Sequence, residues 1–188
     1  MLSVNSEIGS LKKVIIHRPD EGIARISPKK AEELLFDDIV HLPQMKEEHD
    51  IFRRVLQHLI GKENVLATEK LIEEGFTASP DIKEELIDKI VDYEELPPSD
   101  KSFLMGLEPN ALTKLLITGY YQDEDHIYFD PIPNFIFTRD IAVAVKDHVI
   151  ITKAAKMARF RENLLTRFIF YSHPFFKDLN PDGKIINL

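Results

Sequence analysis

The 188-residue sequence contains no cysteine. That absence excludes disulfides, thiolate zinc sites and a cysteine nucleophile within the chain, and it makes a cytoplasmic setting the default expectation. Positive charge is also scarce: 24 Lys and Arg stand against 32 Asp and Glu, a net charge of -8. Nucleic acid and anionic membranes call for basic surfaces, so neither is expected as a partner. No apolar run approaches the roughly 20 residues that a membrane span needs. The opening Met1-Leu-Ser-Val-Asn-Ser-Glu7 lacks a basic region followed by an apolar stretch, so no secretory signal is expected. What is present is 44% hydrophobic residues, enough for a real core in one domain or two small ones.

Taken in order, Lys13-Val-Ile-Ile-His17 reads as a strand that ends at Arg18-Pro19. Ser27-Pro28 opens a short turn through Leu35. Phe36-Asp37-Asp38-Ile39-Val40 reads as a short strand with adjacent acids. A hard divalent cation needs more oxygens than Asp37 and Asp38 supply, so backbone donors or an arginine are the favoured partners and no metal is expected. From Pro43 to Ile60, Met45, Ile51, Phe52, Val55, Leu56 and Leu59 fall largely on one helical face, closed by Gly61. His49 and His58 in this helix read as ordinary histidines. Asn64-Val65-Leu66 is a short strand.

From about Glu69 to Tyr121 the pattern is helical. The groups Ile82 to Val91, Phe103 to Leu107 and Leu112 to Leu116 each form a stripe. Ser79-Pro80, Pro97-Pro98-Ser99, Glu108-Pro109-Asn110 and Gly119 separate them. The acids Glu84, Glu85, Asp88, Glu94 and Glu95 read as a solvated face, and no cofactor motif occurs here, so no cofactor is expected. Strands then return. Ile141–Val145 and His148–Thr152 flank Lys146-Asp147 as a hairpin. A helical face follows from Phe160 to about Tyr171, and Gly183–Leu188 begins another strand. The order strand, strand, helix, strand occurs at both ends of the chain, a structural repeat around a helical insertion. The segments so defined are 1–68, 69–122 and 123–188.

Between the helices and the hairpin lies Pro131-Ile-Pro-Asn-Phe-Ile-Phe-Thr-Arg-Asp140. Its prolines hold the residues before them extended, and Phe135, Ile136 and Phe137 favour a strand. On a strand Arg139 and Asp140 point to opposite faces, so they would not pair with each other and one would face inward. An inward carboxylate needs a cation or several donors. Asp140 is therefore either paired with an arginine elsewhere in the fold or set to receive a cationic substrate.

Pro-Asn-x-x-Phe-Thr-Arg-Asp resembles a signature of the arginine deiminases, members of the guanidine-modifying (pentein) superfamily. Leu34–Ile39 resembles a second signature. Ala158-Arg159 with Glu162 resembles a third, Arg159 falling nineteen positions after Asp140. The resemblance covers the whole chain but only the first half of a deiminase. It implies an α/β fold, a partial pentein in which two ββαβ modules of a five-module propeller flank an inserted small helical bundle. The substrate it implies is L-arginine or a related guanidino compound. A guanidinium is a planar, always charged five-donor fork, so carboxylates must grip its nitrogens, and Asp140 is the candidate. The substrate carboxylate is best held by a guanidinium through paired bonds, and Arg159 is the candidate. Asn134 would bond substrate or pocket backbone, and Phe137 would pack on the alkyl stem. One of Asp37 and Asp38 would lie near the guanidinium or help to hold the pocket.

Deiminases attack the guanidinium carbon with a cysteine thiolate, release ammonia and hydrolyse the covalent intermediate with help from a histidine and acidic residues. The resemblance places the family's His-x-Glu-Gly stretch and its cysteine segment beyond Leu188, and none of the seven histidines sits in a matching context. The expectation is a substrate-gripping half without turnover of its own. An amidinotransferase-type fragment and a non-catalytic binding or assembly module are the alternatives. Exposed edge strands would favour a homo-oligomer or pairing with a C-terminal half.

Overall fold

The computed structural model describes residues 2–36, 40–122 and 125–188. Helices α1 (Glu21–Ala24) and α2 (Leu42–Ile60) lie between strands β1 (Val14–Ile16) and β2 (Val65–Ala67), which pair in parallel, Ile15 opposite Leu66. Four helices follow: α3 (Thr68–Ala78), α4 (Pro80–Tyr93), α5 (Pro98–Gly106) and α6 (Pro109–Thr118). The last three open on proline, tolerated in a first turn because its missing N–H would be unpaired there anyway. Helix α6 stops at Gly119, whose φ of 71° is left-handed. A Cβ at Gly119 would lie 1.8 Å from the Phe129 carbonyl oxygen, so only glycine lets the chain turn back this closely. A short antiparallel pair, β3 (Tyr120–Tyr121) and β4 (His126–Ile127), makes that return.

The C-terminal stretch has the expected order of elements. Strands β5 (Ala142–Val145) and β6 (His148–Ile151) form an antiparallel hairpin around Lys146-Asp147, and Lys146 takes a positive φ of 54° at the turn. Helix α8 (Phe160–Ser172) crosses over, and β7 (Ile185–Asn187) pairs in parallel with β6. At the N-terminal end, the strand expected near 37–40 lies largely outside the described residues, as do Asp37 and Asp38. The whole is a mixed α/β arrangement with three small sheets, none of them closed among the described residues.

One buried cluster runs from Leu71 to Leu179 and joins α3, α4 and α6 to α8. Phe76 of α3 meets Phe168 of α8 at 4.7 Å between ring centroids. Gly75 makes the approach possible, because a Cβ there would sit 2.8 Å from the Phe168 ring and 2.3 Å from Ser172 Oγ. Each fully buried side chain in this cluster, such as Leu115, Leu165 or Ile87, contributes about 1.5–3 kcal/mol relative to exposure.

Three sequence expectations are corrected. Phe135–Phe137 is not a strand: Pro133–Ile136 is a 3-10 turn, and Thr138–Ile141 is a one-turn helix, α7. Pro133 lies in the first turn, where its fixed φ suits a helical bend, and the Phe135 N–H donates to the Ile132 carbonyl at 3.1 Å. Strand pairing therefore begins only at Ala142. Helix α2 forms as expected, but none of its residues is buried, and Ile51, Phe52, Val55 and Leu59 are exposed. Glu94 is not solvated like its neighbours. Its side chain is 17% exposed and accepts from Arg161, itself 3% exposed.

Candidate functional site

The signature stretch ties distant parts of the chain together. Buried Asn134 donates from Nδ2 to the Leu34 carbonyl at 2.7 Å, anchoring it to the Leu34–Phe36 segment. Thr138 Oγ1 donates to the Ile15 carbonyl at 3.1 Å, anchoring it to β1. Fully buried Phe135 packs against the His17 ring, 4.9 Å between centroids. His17 is in turn held between Thr68 Oγ1 at 2.6 Å and Asp20 Oδ2 at 2.9 Å. Phe137, by contrast, is 48% exposed.

Because residues 138–141 form a helical turn, Arg139 and Asp140 do not alternate as on a strand. Arg139 points into solvent toward Glu7 at 2.9 Å. Asp140 is half-exposed, not inward, and its Oδ2 accepts from Arg159 Nη1 at 3.2 Å. Its backbone is fixed from β6 outward: the Thr152 hydroxyl donates to the Asp140 carbonyl, and Asn163 of α8 donates to the Thr152 carbonyl. Two of the expected site residues, Asp140 and Arg159, thus converge, although they belong to different elements. Phe137 meets Asp140 through the backbone, its carbonyl accepting from the Asp140 N–H at 2.8 Å, while the Asn134 side chain donates to Leu34 instead.

Arg159 caps α8, where the helix dipole disfavours a cation. Two carboxylates compensate. Besides Asp140, Glu162 one turn on accepts from Arg159 Nε at 2.8 Å through Oε2. Glu162 is 1% exposed. Burial pushes its carboxyl up to about 7, against the opposing pull of Arg159. Its Oε1 and Arg159 Nη2 are both buried and find no hydrogen-bond partner among the described residues. Glu162 is one of two residues near this cluster to which sequence reasoning gave no role, although its i,i+3 spacing from Arg159 on a helix start carried the signal. Arg161 is the other. Its Nε donates to the Leu116 carbonyl at 2.9 Å, its remaining nitrogens reach Glu94 and the Asp130 carbonyl, and it lies over the Phe129 ring at 4.1 Å. No sequence pattern distinguished its buried guanidinium from a surface one.

A cavity of about 200 Å³ opens elsewhere, lined by Arg18, Asp20, Glu69, Thr113 and Lys114 among others; none of Asn134, Phe137, Asp140 and Arg159 contributes to it.

These features define an α/β protein that sets a carboxylate and a buttressed guanidinium side by side at the start of one helix. Comparison with known proteins is specific. The family described as arginine deiminase matches residues 32–183. Arginine deiminases of Bacillus cereus (strain ATCC 10987 / NRS 248) and Latilactobacillus sakei are 34% and 33% identical to it over 95% and 93% of this chain. That of Lactococcus lactis subsp. cremoris is 34% identical over 94%. The chain belongs to the arginine deiminase family. It spans about half the length of these relatives, 47% to 48%.

Proposed function

We propose that this chain is the arginine-gripping part of an arginine deiminase, the hydrolysis of L-arginine to L-citrulline and ammonia being the reaction it serves. Asp140 holds the guanidinium nitrogens, Arg159 the substrate carboxylate, Asn134 the pocket backbone, and Phe137 offers an exposed ring to the alkyl stem. The convergence of Asp140 and Arg159, nineteen residues apart, on one point supports this reading most directly. In this reading their pairing corresponds to a closed state. Carboxylate and guanidinium carbon in arginine are separated by several bonds of about 1.5 Å, so arginine cannot span a pair in contact at 3.2 Å, and Asp140 and Arg159 part to admit it.

Nucleophilic attack on the guanidinium carbon requires an activated nucleophile with its base in reach. With no cysteine, the chain grips substrate but does not turn it over alone. In this reading 1–68 and 123–188 are pentein modules and 69–122 the helical insertion. The exposed apolar face of α2 and the short open sheets favour a complementing polypeptide over an isolated module.

Calorimetry with L-arginine on the wild type, Asp140→Ala and Arg159→Ala, with citrulline assayed in parallel, tests the proposal. Binding weakened at least tenfold by each substitution, a charged hydrogen bond being worth that much, and no citrulline are the expected results. Equal binding by all three proteins would remove the assigned roles, and citrulline from the pure chain would remove the inactive reading.

A further inference from the structure

Arg159 and Glu162 make half of a two-bond fork. A guanidinium offers Nε and Nη2 on one edge, Nη1 and Nη2 on its end. Arg18 shows the completed side-on form in this same protein, with Nε and Nη2 donating to the two oxygens of Asp50 at 2.8 and 2.7 Å. At Arg159 only the Nε–Oε2 bond is made, at 2.8 Å. The two atoms that would complete the fork, Arg159 Nη2 and Glu162 Oε1, are buried and have no partner among the described residues. Buried polar atoms are nearly always satisfied, and these two atoms, a donor and an acceptor on groups already joined by one bond, are suited to satisfy each other. On the other side of the guanidinium, Asp140 accepts from Nη1 at 3.2 Å.

We propose that Glu162 is the positioning residue of Arg159: when Asp140 lets go of Nη1, Arg159 closes the fork onto Glu162 and presents its freed end to an incoming carboxylate. The inference rests on the reading of Arg159 as the receiver of the substrate carboxylate. In this account Asp140 and Glu162 exchange one guanidinium. Arginine entering the site draws Asp140 to its own guanidinium, and the released Arg159 gains its second bond to Glu162 in the same step. The substrate's two ends are then bound cooperatively, because neither Asp140 nor Arg159 becomes available without the other. Arg159 and Asp140 are the charges that bear most directly on Glu162, with Arg161 a weaker third. The raised carboxyl of Glu162 agrees with a fork still open, since the second bond would stabilise its ionised form.

The side-chain Nε–H resonance of Arg159 in the full 188-residue chain reads the fork directly, with and without L-arginine. In the wild type it should be protected from exchange. In Asp140→Asn, where Asn is a poorer acceptor and releases Nη1, protection rises several-fold without ligand. In Glu162→Ala protection is lost, with Glu162→Gln intermediate. Calorimetry on Glu162→Ala should show arginine affinity reduced roughly tenfold, the order of one charge-assisted bond. Unchanged Nε–H exchange in Asp140→Asn, or protection that survives in Glu162→Ala, overturns the exchange of partners. If no variant binds arginine while the Nε–H signals respond as described, the positioning by Glu162 stands and the substrate role of Arg159 fails. Peaks elsewhere in the spectrum that stay in place establish that each variant is folded.

Discussion

Glu162 puts an ionisable group where water does not reach, and its effect on stability has a definite sign. Its carboxyl titrates near 7 in the fold against an ordinary value of 4.5, so the native state binds the proton more tightly than the unfolded chain does. The contribution is fully present below about pH 4.5 and is lost as pH rises through 7, amounting to roughly 3 kcal/mol. Glu21, held low by Lys46, and Glu74, held low by His173, act in the opposite sense, losing their contribution as pH falls. The wild-type profile is therefore a sum, and Glu162→Gln isolates one part of it. Denaturant unfolding between pH 4.5 and 8 should show the variant gaining on the wild type steadily as pH rises; parallel curves would mean that Glu162 titrates as an ordinary exposed acid. The residue itself was visible in the sequence, at i,i+3 from Arg159. Its burial was not, because burial is set by how α8 packs against distant helices such as α3 and α4, which local spacing does not reveal.

Among the elements, those with strong punctuation were legible and those shaped by tertiary packing were not. The proline starts of α4, α5 and α6 were read correctly because the proline ring fixes the backbone by its own covalent chemistry, and the Lys146-Asp147 turn because two β-favouring runs flank a two-residue polar gap. The Phe135–Phe137 strand was not, because Phe135 fills the core from a proline-nucleated turn instead of pairing along a ladder, and Phe137 is left exposed. Helix α2 shows the converse: its apolar stripe was read correctly as periodicity, but periodicity does not say what covers it. Gly119 offers the sharpest test at this scale. Ala at this position meets both a left-handed backbone and the Phe129 carbonyl, a contact a methyl group cannot share. Gly119→Ala should lower stability by at least about 2 kcal/mol, more than the backbone conformation alone costs. Gly183, at φ 65° with nothing near its would-be Cβ, provides the control: Ala there carries only the backbone cost of about 1–2 kcal/mol. Equal urea midpoints for the two variants would show that the loop after α6 yields to the added carbon.

For the whole molecule, the sequence separates a helical segment from the αβ unit that follows it, whereas the core joins them. Leu165, fully buried on α8, belongs to the same cluster as Ile72 of α3, Ile87 and Ile90 of α4, and Leu112 and Leu115 of α6. Arg161, one turn earlier on α8, bonds at once to the Leu116 carbonyl at the end of α6, to Glu94 after α4 and to the Asp130 carbonyl. The helices therefore cannot lose α8 without exposing their own apolar face and leaving a buried guanidinium unpaired. The start of α8 also carries Arg159 and Glu162, so the candidate site is held by the same core as the helical segment. Leu165→Ala should cost about 2–5 kcal/mol through the lost side chain and the cavity it leaves. Hydrogen exchange on the variant should show protection falling together, and by similar amounts, in α3, α4, α6 and α8. Protection lost in 160–172 alone, with 68–118 unchanged, would instead make the helical segment an independent unit docked on its neighbour, and would separate the stability of the site from that of the bundle.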